Sequence, residues 1–146
     1  MDTDLIKKLN NLAQVDIDAY HAYTQAIEAL GNQEIKEQLI KFQQDHVQHI
    51  KNFEKTVKDL GGESIGFSRD FKGFLISGYT SVRSMTGDVG TLKAMDTNEA
   101  ITNSSYDDML KEEDLPGDIR QMIEEHSNDE KRHLAYIKKK LEEINT

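Results

Sequence analysis

The sequence predicts an all-α fold, a bundle of four long helices with a crossover carrying a short extra helix between the second and third. Three observations predict it. Four stretches repeat apolar residues in alternating steps of four and three, the spacing of a buried bundle seam. The composition is 36% hydrophobic and 31% charged, with one proline and no tryptophan, which suits long amphipathic helices better than a sandwich or barrel. Most of the nine glycines gather between Gly61 and Gly90, marking one long connection.

The first helix is expected from about Asp2 to Leu30, with Asp2 or Thr3 as N-cap and Gly31-Asn32 as the stop. Its seam reads Leu5, Leu9, Leu12, Asp16, Ala19, Tyr23, Ala26, Leu30, and Asp16 is its one charged member. Asp18, His21 and Glu28 fall off that row and are expected to face solvent. The second helix is expected from about Gln33 to Leu60, ending at Gly61-Gly62. Its seam is Ile35, Leu39, Phe42, His46, His49, Phe53 and Leu60, with Thr56 before the last. Two histidines one turn apart thus replace apolar residues in mid-helix. Asp45 lies about 100° round the helix from His46 and is expected to orient a ring or face water.

Within the crossover, Phe71, Phe74, Leu75, Val82 and Met85 keep a helical period, so a shorter helix is placed at about Arg69 to Met85. It is expected to pack on the bundle flank, with a dimer contact or an access channel as alternatives. The third long helix is expected from Asp88 to about Glu113, before Leu115-Pro116-Gly117 breaks it. Leu92, Met95, Glu99, Thr102, Tyr106 and Met109 form its inner row. The fourth is expected from Asp118, as N-cap, to Ile144, with Ile119, Ile123, His126, Glu130, His133 and Ile137 inside. Glu130 and His133 share a face one turn apart, so both can reach one metal ion. His126 lies about 10 Å further along the axis, too far for the same ion, and reads as a satisfied core or interface histidine. Met85, Met95, Met109 and Met122 read as core filler.

The polar seam residues share one depth. Asp16 precedes Gly31 by as many residues as His46 follows it, and Glu99 and Glu130 flank Leu115 almost as evenly. Helices of 25 to 30 residues are about 40 Å long, so all four sets fall near mid-length. The halves echo each other as well: Asp16 precedes Tyr23 by seven, and Glu99 precedes Tyr106 by seven. This reads as an internal duplication of a helical hairpin. Six ionisable groups at one level of a dry core would cost several kcal/mol per charge if nothing bound them. Three carboxylates and three imidazoles exceed the need of one tetrahedral zinc and suit two ions with bridging carboxylates.

Composition narrows the function. A chain of 146 residues suits a single domain over 1–146. The absence of cysteine excludes disulfides, thiolate metal sites and a cysteine nucleophile, and is compatible with a reducing compartment. A net charge of -9 with no basic patch argues against a nucleic-acid surface. No stretch is apolar enough to span a bilayer, and Met1-Asp2-Thr3-Asp4 is not a signal peptide, so a cytoplasmic protein is expected.

The combination of Asp16-x-x-Ala19-x-x-x-Tyr23, His46-x-x-His49, Glu99 with Tyr106, and Glu130-x-x-His133 resembles the ferritin-like superfamily, and within it the rubrerythrin-like di-iron proteins. The resemblance covers nearly the whole chain. It implies a ferritin-like four-helix bundle with the second and third helices parallel. It also implies two metal ions, iron first with manganese or zinc as alternatives, held by Asp16, His46, His49, Glu99, Glu130 and His133. Tyr23 and Tyr106 would stand behind those ligands. A non-haem oxidase or peroxidase acting on dioxygen or hydrogen peroxide follows, associated with oxidative stress and expected as a homodimer. Without cysteine there is no rubredoxin-like module, so electrons would come from a separate donor protein. Metal binding or storage without turnover, and a metal-free structural or stress-associated bundle, are the alternatives.

Two departures bear on chemistry. The family has Glu where this chain has Asp16, one methylene shorter, and Glu where it has His46. The second change leaves three negative ligands against four charges from two ferrous ions. Fewer anionic ligands stabilise the ferric state less, which predicts a higher reduction potential and slower reaction with dioxygen than a four-carboxylate site. A redox titration of the iron-loaded protein that gave the four-carboxylate potential would contradict this.

Overall fold

In the computed structural model, which describes residues 2–65 and 87–144, helix α1 (Thr3–Ala29) begins where the Asp2 carboxylate accepts the Leu5 N–H at 3.0 Å. Helix α2 (Gln33–Asp59) repeats the device, Asn32 Oδ1 accepting the Ile35 N–H at 3.0 Å. Helices α3 (Gly87–Leu110) and α4 (Gly117–Ile144) complete an all-α four-helix bundle, with no strand among the described residues. The helix expected at 69–85 lies outside them. No described helix is long and apolar enough to cross a membrane.

Two expected ends differ. α3 stops at Leu110 because Lys111 and Glu112 donate to the carbonyls three residues back, Asp108 and Met109, tightening the final turn. Arg120 then reaches over from α4 and donates to the Leu110 and Glu112 carbonyls. Asp118 lies inside the first turn of α4 rather than at its cap. The Pro116 carbonyl accepts from Arg120 N at 2.9 Å and takes the capping role, leaving Asp118 to complement the helix dipole.

The pairings fix the topology. Along α1 and α3, Asp16 meets Tyr106, Tyr23 meets Glu99, and Asp88 accepts the Gly31 and Asn32 N–H groups at 2.8 and 3.1 Å. Along α2 and α4, Asp45 meets Arg132, His49 meets Asp129, and Asn52 meets His126. Adjacent helices are therefore antiparallel, and α2 and α3, on a diagonal, run parallel as expected. α2 and α4 stand further apart than the other neighbours and touch through long polar side chains and rings, Phe42 against Tyr136 among them.

The anticipated seams are buried almost throughout. α1 hides more than its seam because it packs against both α2 and α3, so its buried arc also takes Ile6, Ala13, Ile17 and Ala22. The same arc overturns two expectations: Asp18 and His21 are buried rather than solvated. Asp18 accepts from Gln14 Nε2 at 3.0 Å, and the His21 ring meets Tyr20 edge-on. Glu28 is exposed, as expected. In the last turns of α2, Val57 is the buried residue, while Thr56 and Leu60 are half-buried.

The C-terminus of α2 shows why two glycines follow it. The Gly61 N–H donates to Lys58 O and the Gly62 N–H to Val57 O, both at 2.9 Å, the paired bonds of a Schellman stop. Gly61 has φ +87, and a Cβ on Gly62 would lie 2.8 Å from the Ile6 side chain. A Gly61→Ala change is expected to lower unfolding free energy by about 1 kcal/mol. Urea denaturation reads it, and an unchanged midpoint would contradict the assignment.

Candidate metal centre

Two apolar layers close the ends of the bundle. One gathers Leu30, Ile35, Leu39, Leu92 and Met95 near the α1–α2 turn; the other gathers Leu5, Leu9, Val57, Met109 and Ile119 at the far end. Between them lie the polar seam residues. Asp16, His46, His49, Glu99, Glu130 and His133 are each at most 2% exposed and meet at a single level, as the matched depths predicted.

His46 is at the middle. Its Nδ1 lies 2.8 Å from Asp16 Oδ1, and its Nε2 lies 3.3 Å from Glu99 Oε1 and 3.4 Å from Glu130 Oε1. His49 turns Nδ1 inward, 3.0 Å from Asp16 Oδ1 and 3.6 Å from Glu130 Oε2. His133 does the same, with Nδ1 3.0 Å from Glu130 Oε1 and 3.8 Å from Glu99 Oε2. Outward, His49 Nε2 is 2.9 Å from Asp129 Oδ2 and His133 Nε2 is 2.8 Å from Asp45 Oδ2. Arg132 donates to both aspartates at 2.9 Å. These outer carboxylates hold the rings so that Nδ1 faces the centre.

The two tyrosines cross between halves. Tyr23 of α1 donates to Glu99 Oε1 of α3 at 3.0 Å, and Tyr106 of α3 donates to Asp16 Oδ2 of α1. The duplication inferred from spacing therefore appears as an approximate two-fold relation exchanging α1 with α3 and α2 with α4. It extends to the stacking: Phe42 lies on the His133 ring at 4.2 Å between centroids, and His126 on the His49 ring at 3.9 Å. His126 is satisfied away from the centre, by Asn52 Nδ2 at 3.0 Å and the Tyr106 hydroxyl at 3.2 Å. Burial and the nearby His49 charge push it down to about 3, so it is neutral. With Tyr106 donating to Asp16, His126 must donate from Nδ1 and accept at Nε2.

Burial alone would lower the pKa values of the central histidines. The carboxylates around them outweigh it: Glu130, Asp16 and Glu99 raise His46 to about 9, and Asp45, Glu130 and Glu99 raise His133 to about 11. Asp16, Asp129 and Glu130 raise His49 to about 12. Burial opposes ionisation of Asp16 and Glu99 too, but their imidazole neighbours hold both below the usual carboxylate range.

Several central atoms lack a hydrogen-bond partner among the described residues: Glu99 Oε2, both Glu130 oxygens and His133 Nδ1. They approach opposite groups closely enough for ion pairing but not in hydrogen-bonding alignment. Buried donor atoms left over at the meeting point of carboxylates and imidazoles suit a cation, which accepts from several directions at once. The residues present therefore fit a metal.

Of the two expectations for Asp45, orienting a ring or facing water, the structure shows the first, toward a ring on another helix. Sequence reasoning passed over Asp129, Arg132 and Asn103, whose Nδ2 donates to the Glu99 and Glu130 carbonyls at 2.9 and 3.1 Å. One signal was legible: Asp-x-x-x-His occurs on both α2, as Asp45 to His49, and α4, as Asp129 to His133.

Fold and site together define a four-helix bundle, compatible with the ferritin-like fold, with buried carboxylate and imidazole groups that could hold metal. The chain belongs to a family described as a domain of unknown function, DUF2383, whose model matches residues 4–112. That match carries Asp16, His46, His49 and Glu99 and ends before α4, which brings Glu130 and His133. No curated protein matches the chain.

The metal-free centre has a defined pH response. Raised histidines contribute stability in full below their ordinary 6.5 and lose it as pH rises through their folded values, the lowest being His46 at about 9. The lowered Asp16 and Glu99 contribute above their ordinary 3.8 and 4.5 and lose it in acid. His126, lowered to about 3, acts the other way and costs stability as pH falls below 6.5, so in chelator the melting temperature is expected to be highest near pH 6.5, to fall towards pH 9 and to fall again in acid. A flat or rising trend from 6.5 to 9 would count against this electrostatic account.

Proposed function

We propose that this is a di-metal protein of rubrerythrin-like type, with iron as its resident cation and oxidase or peroxidase chemistry on dioxygen or hydrogen peroxide. One observation carries the reading. Asp16, His46, His49 and Glu130 form one group of donor atoms within 4.8 Å of one another, His46, Glu99, Glu130 and His133 form a second, and the two share His46 and Glu130. Two sets with common members are what two neighbouring cations need.

In this reading Asp16 and His49 would hold one cation and Glu99 and His133 the other, His46 and Glu130 being common to both donor groups. A bound iron pair supplies electron exchange with the oxidant. The chain supplies everything else. Asp45 and Asp129 fix the tautomer of the ligand rings by accepting their Nε2 hydrogens, Tyr23 and Tyr106 hold Glu99 and Asp16 in place, and the apolar layers keep bulk water out. Electrons would come from a separate donor, since none of these 146 residues is a cysteine able to hold a rubredoxin-like iron. The rubrerythrin resemblance supports a cytoplasmic homodimer serving in oxidative stress.

A second reading has its own support. Each central imidazole already lies against a carboxylate, so protonated rings can neutralise the centre without a cation. That favours a carrier that fills and empties without turnover, or a metal-free bundle. Metal analysis of protein purified without chelator separates the readings. Two irons per chain with peroxide-dependent turnover is expected, whereas bound metal without turnover identifies the carrier. Where a cation binds, a concentration a hundredfold above its Kd should add about 2.7 kcal/mol of stability. No metal, and no thermal shift on adding iron(II), manganese(II) or zinc(II), would refute the proposal.

A further inference from the structure

We infer that His46 is a bridging ligand, presenting one ring nitrogen to each of the two cations. The inference rests on the di-metal reading and adds a property of one residue to it. The other central histidines each commit Nε2 to an outer aspartate and have only Nδ1 to offer inward. Among the described residues His46 has no such outer partner. Its Nδ1 faces the Asp16 side of the centre and its Nε2 the Glu99 and Glu130 side, in a ring with no solvent exposure.

The approximate two-fold axis sharpens the point. It pairs His46 with Glu130, whose two oxygens also divide: Oε2 faces His49 Nδ1 at 3.6 Å and Oε1 faces His133 Nδ1 at 3.0 Å. One bridge is thus a carboxylate and the other an imidazole. Each cation then meets two nitrogens and two oxygens. The first has Asp16, His49, His46 Nδ1 and Glu130 Oε2, and the second has Glu99, His133, His46 Nε2 and Glu130 Oε1. Each His46 nitrogen gives up its hydrogen to solvent as a cation takes its place.

The two bridges differ in span. Carboxylate oxygens can converge on cations about 3.5–4 Å apart, the usual two-metal spacing. Imidazole nitrogens point away from each other across the ring. With metal–nitrogen bonds of about 2.0–2.1 Å on either side, the ring sets a separation near 6 Å. His46 therefore spaces the pair widely and couples it weakly, and a glutamate in its place would let the ions approach.

Chelator-stripped wild type and H46E are loaded with manganese(II) alone. Metal content is measured by mass spectrometry, spin coupling by electron paramagnetic resonance, and the Mn–Mn distance by X-ray absorption. The expected result is two manganese ions per chain, weakly coupled and nearer 6 than 4 Å apart in wild type, with a shorter distance and stronger coupling in H46E. If H46E does not fold, the wild-type distance alone decides. Two ions about 3.5–4 Å apart in wild type, or one ion only, would overturn the bridging role of His46. The close pair would leave the di-metal reading standing. Failure of wild type to bind manganese, iron or zinc would overturn both.

Discussion

The cost of taking charge out of water governs this protein. Three carboxylates and three imidazoles sit at one level of a helical core with at most 2% exposure, where an isolated charge would cost several kcal/mol. Such a layer persists only if every group finds a counter-charge. The structure meets that demand by mutual contact, each imidazole against at least one carboxylate, and by an outer ring of Asp45, Asp129 and Arg132. Removing one member would leave another buried and uncompensated, so the layer acts as a unit rather than a sum of pairs.

The bundle supplies the rigidity this arrangement needs. Apolar layers above and below fix the position of each helix along the bundle axis, and the Asp88 carboxylate ties the α1–α2 turn to the start of α3. Arg120 does the corresponding job at the other end, closing the last carbonyls of α3 from α4. The wider spacing of α2 and α4 leaves room for the histidines and the outer aspartates. A close apolar contact there would have no place for two imidazoles and their carboxylates.

The approximate two-fold symmetry explains which departures matter. Most pairs it relates are alike in role: Asp16 with Glu99, Tyr23 with Tyr106, Asp45 with Asp129, His49 with His133. Two are not. His46 stands opposite Glu130, which changes the charge and span of the centre. His126 stands opposite Phe42, which keeps the stacking on a ligand ring but adds a hydrogen-bonded link from Tyr106 to Asn52 on one side only.

By itself the sequence determined the four helices and the level of the polar layer, because a 3.6-residue period and distances counted from the turns are local quantities. Asp16, His46, His49, Glu99, Glu130 and His133 could be named for that reason: each interrupts an apolar row at a calculable height. Tertiary structure alone decided the rest. Asp18 and His21 are buried because α1 has two neighbours, and a single helix does not reveal how wide an arc its neighbours cover. Asp129 and Arg132 matter because α4 faces α2 across a gap, and Asp45 serves a ring on the opposite helix rather than its own. Those relations depend on the rotation and spacing of packed helices, which periodicity along one chain does not carry.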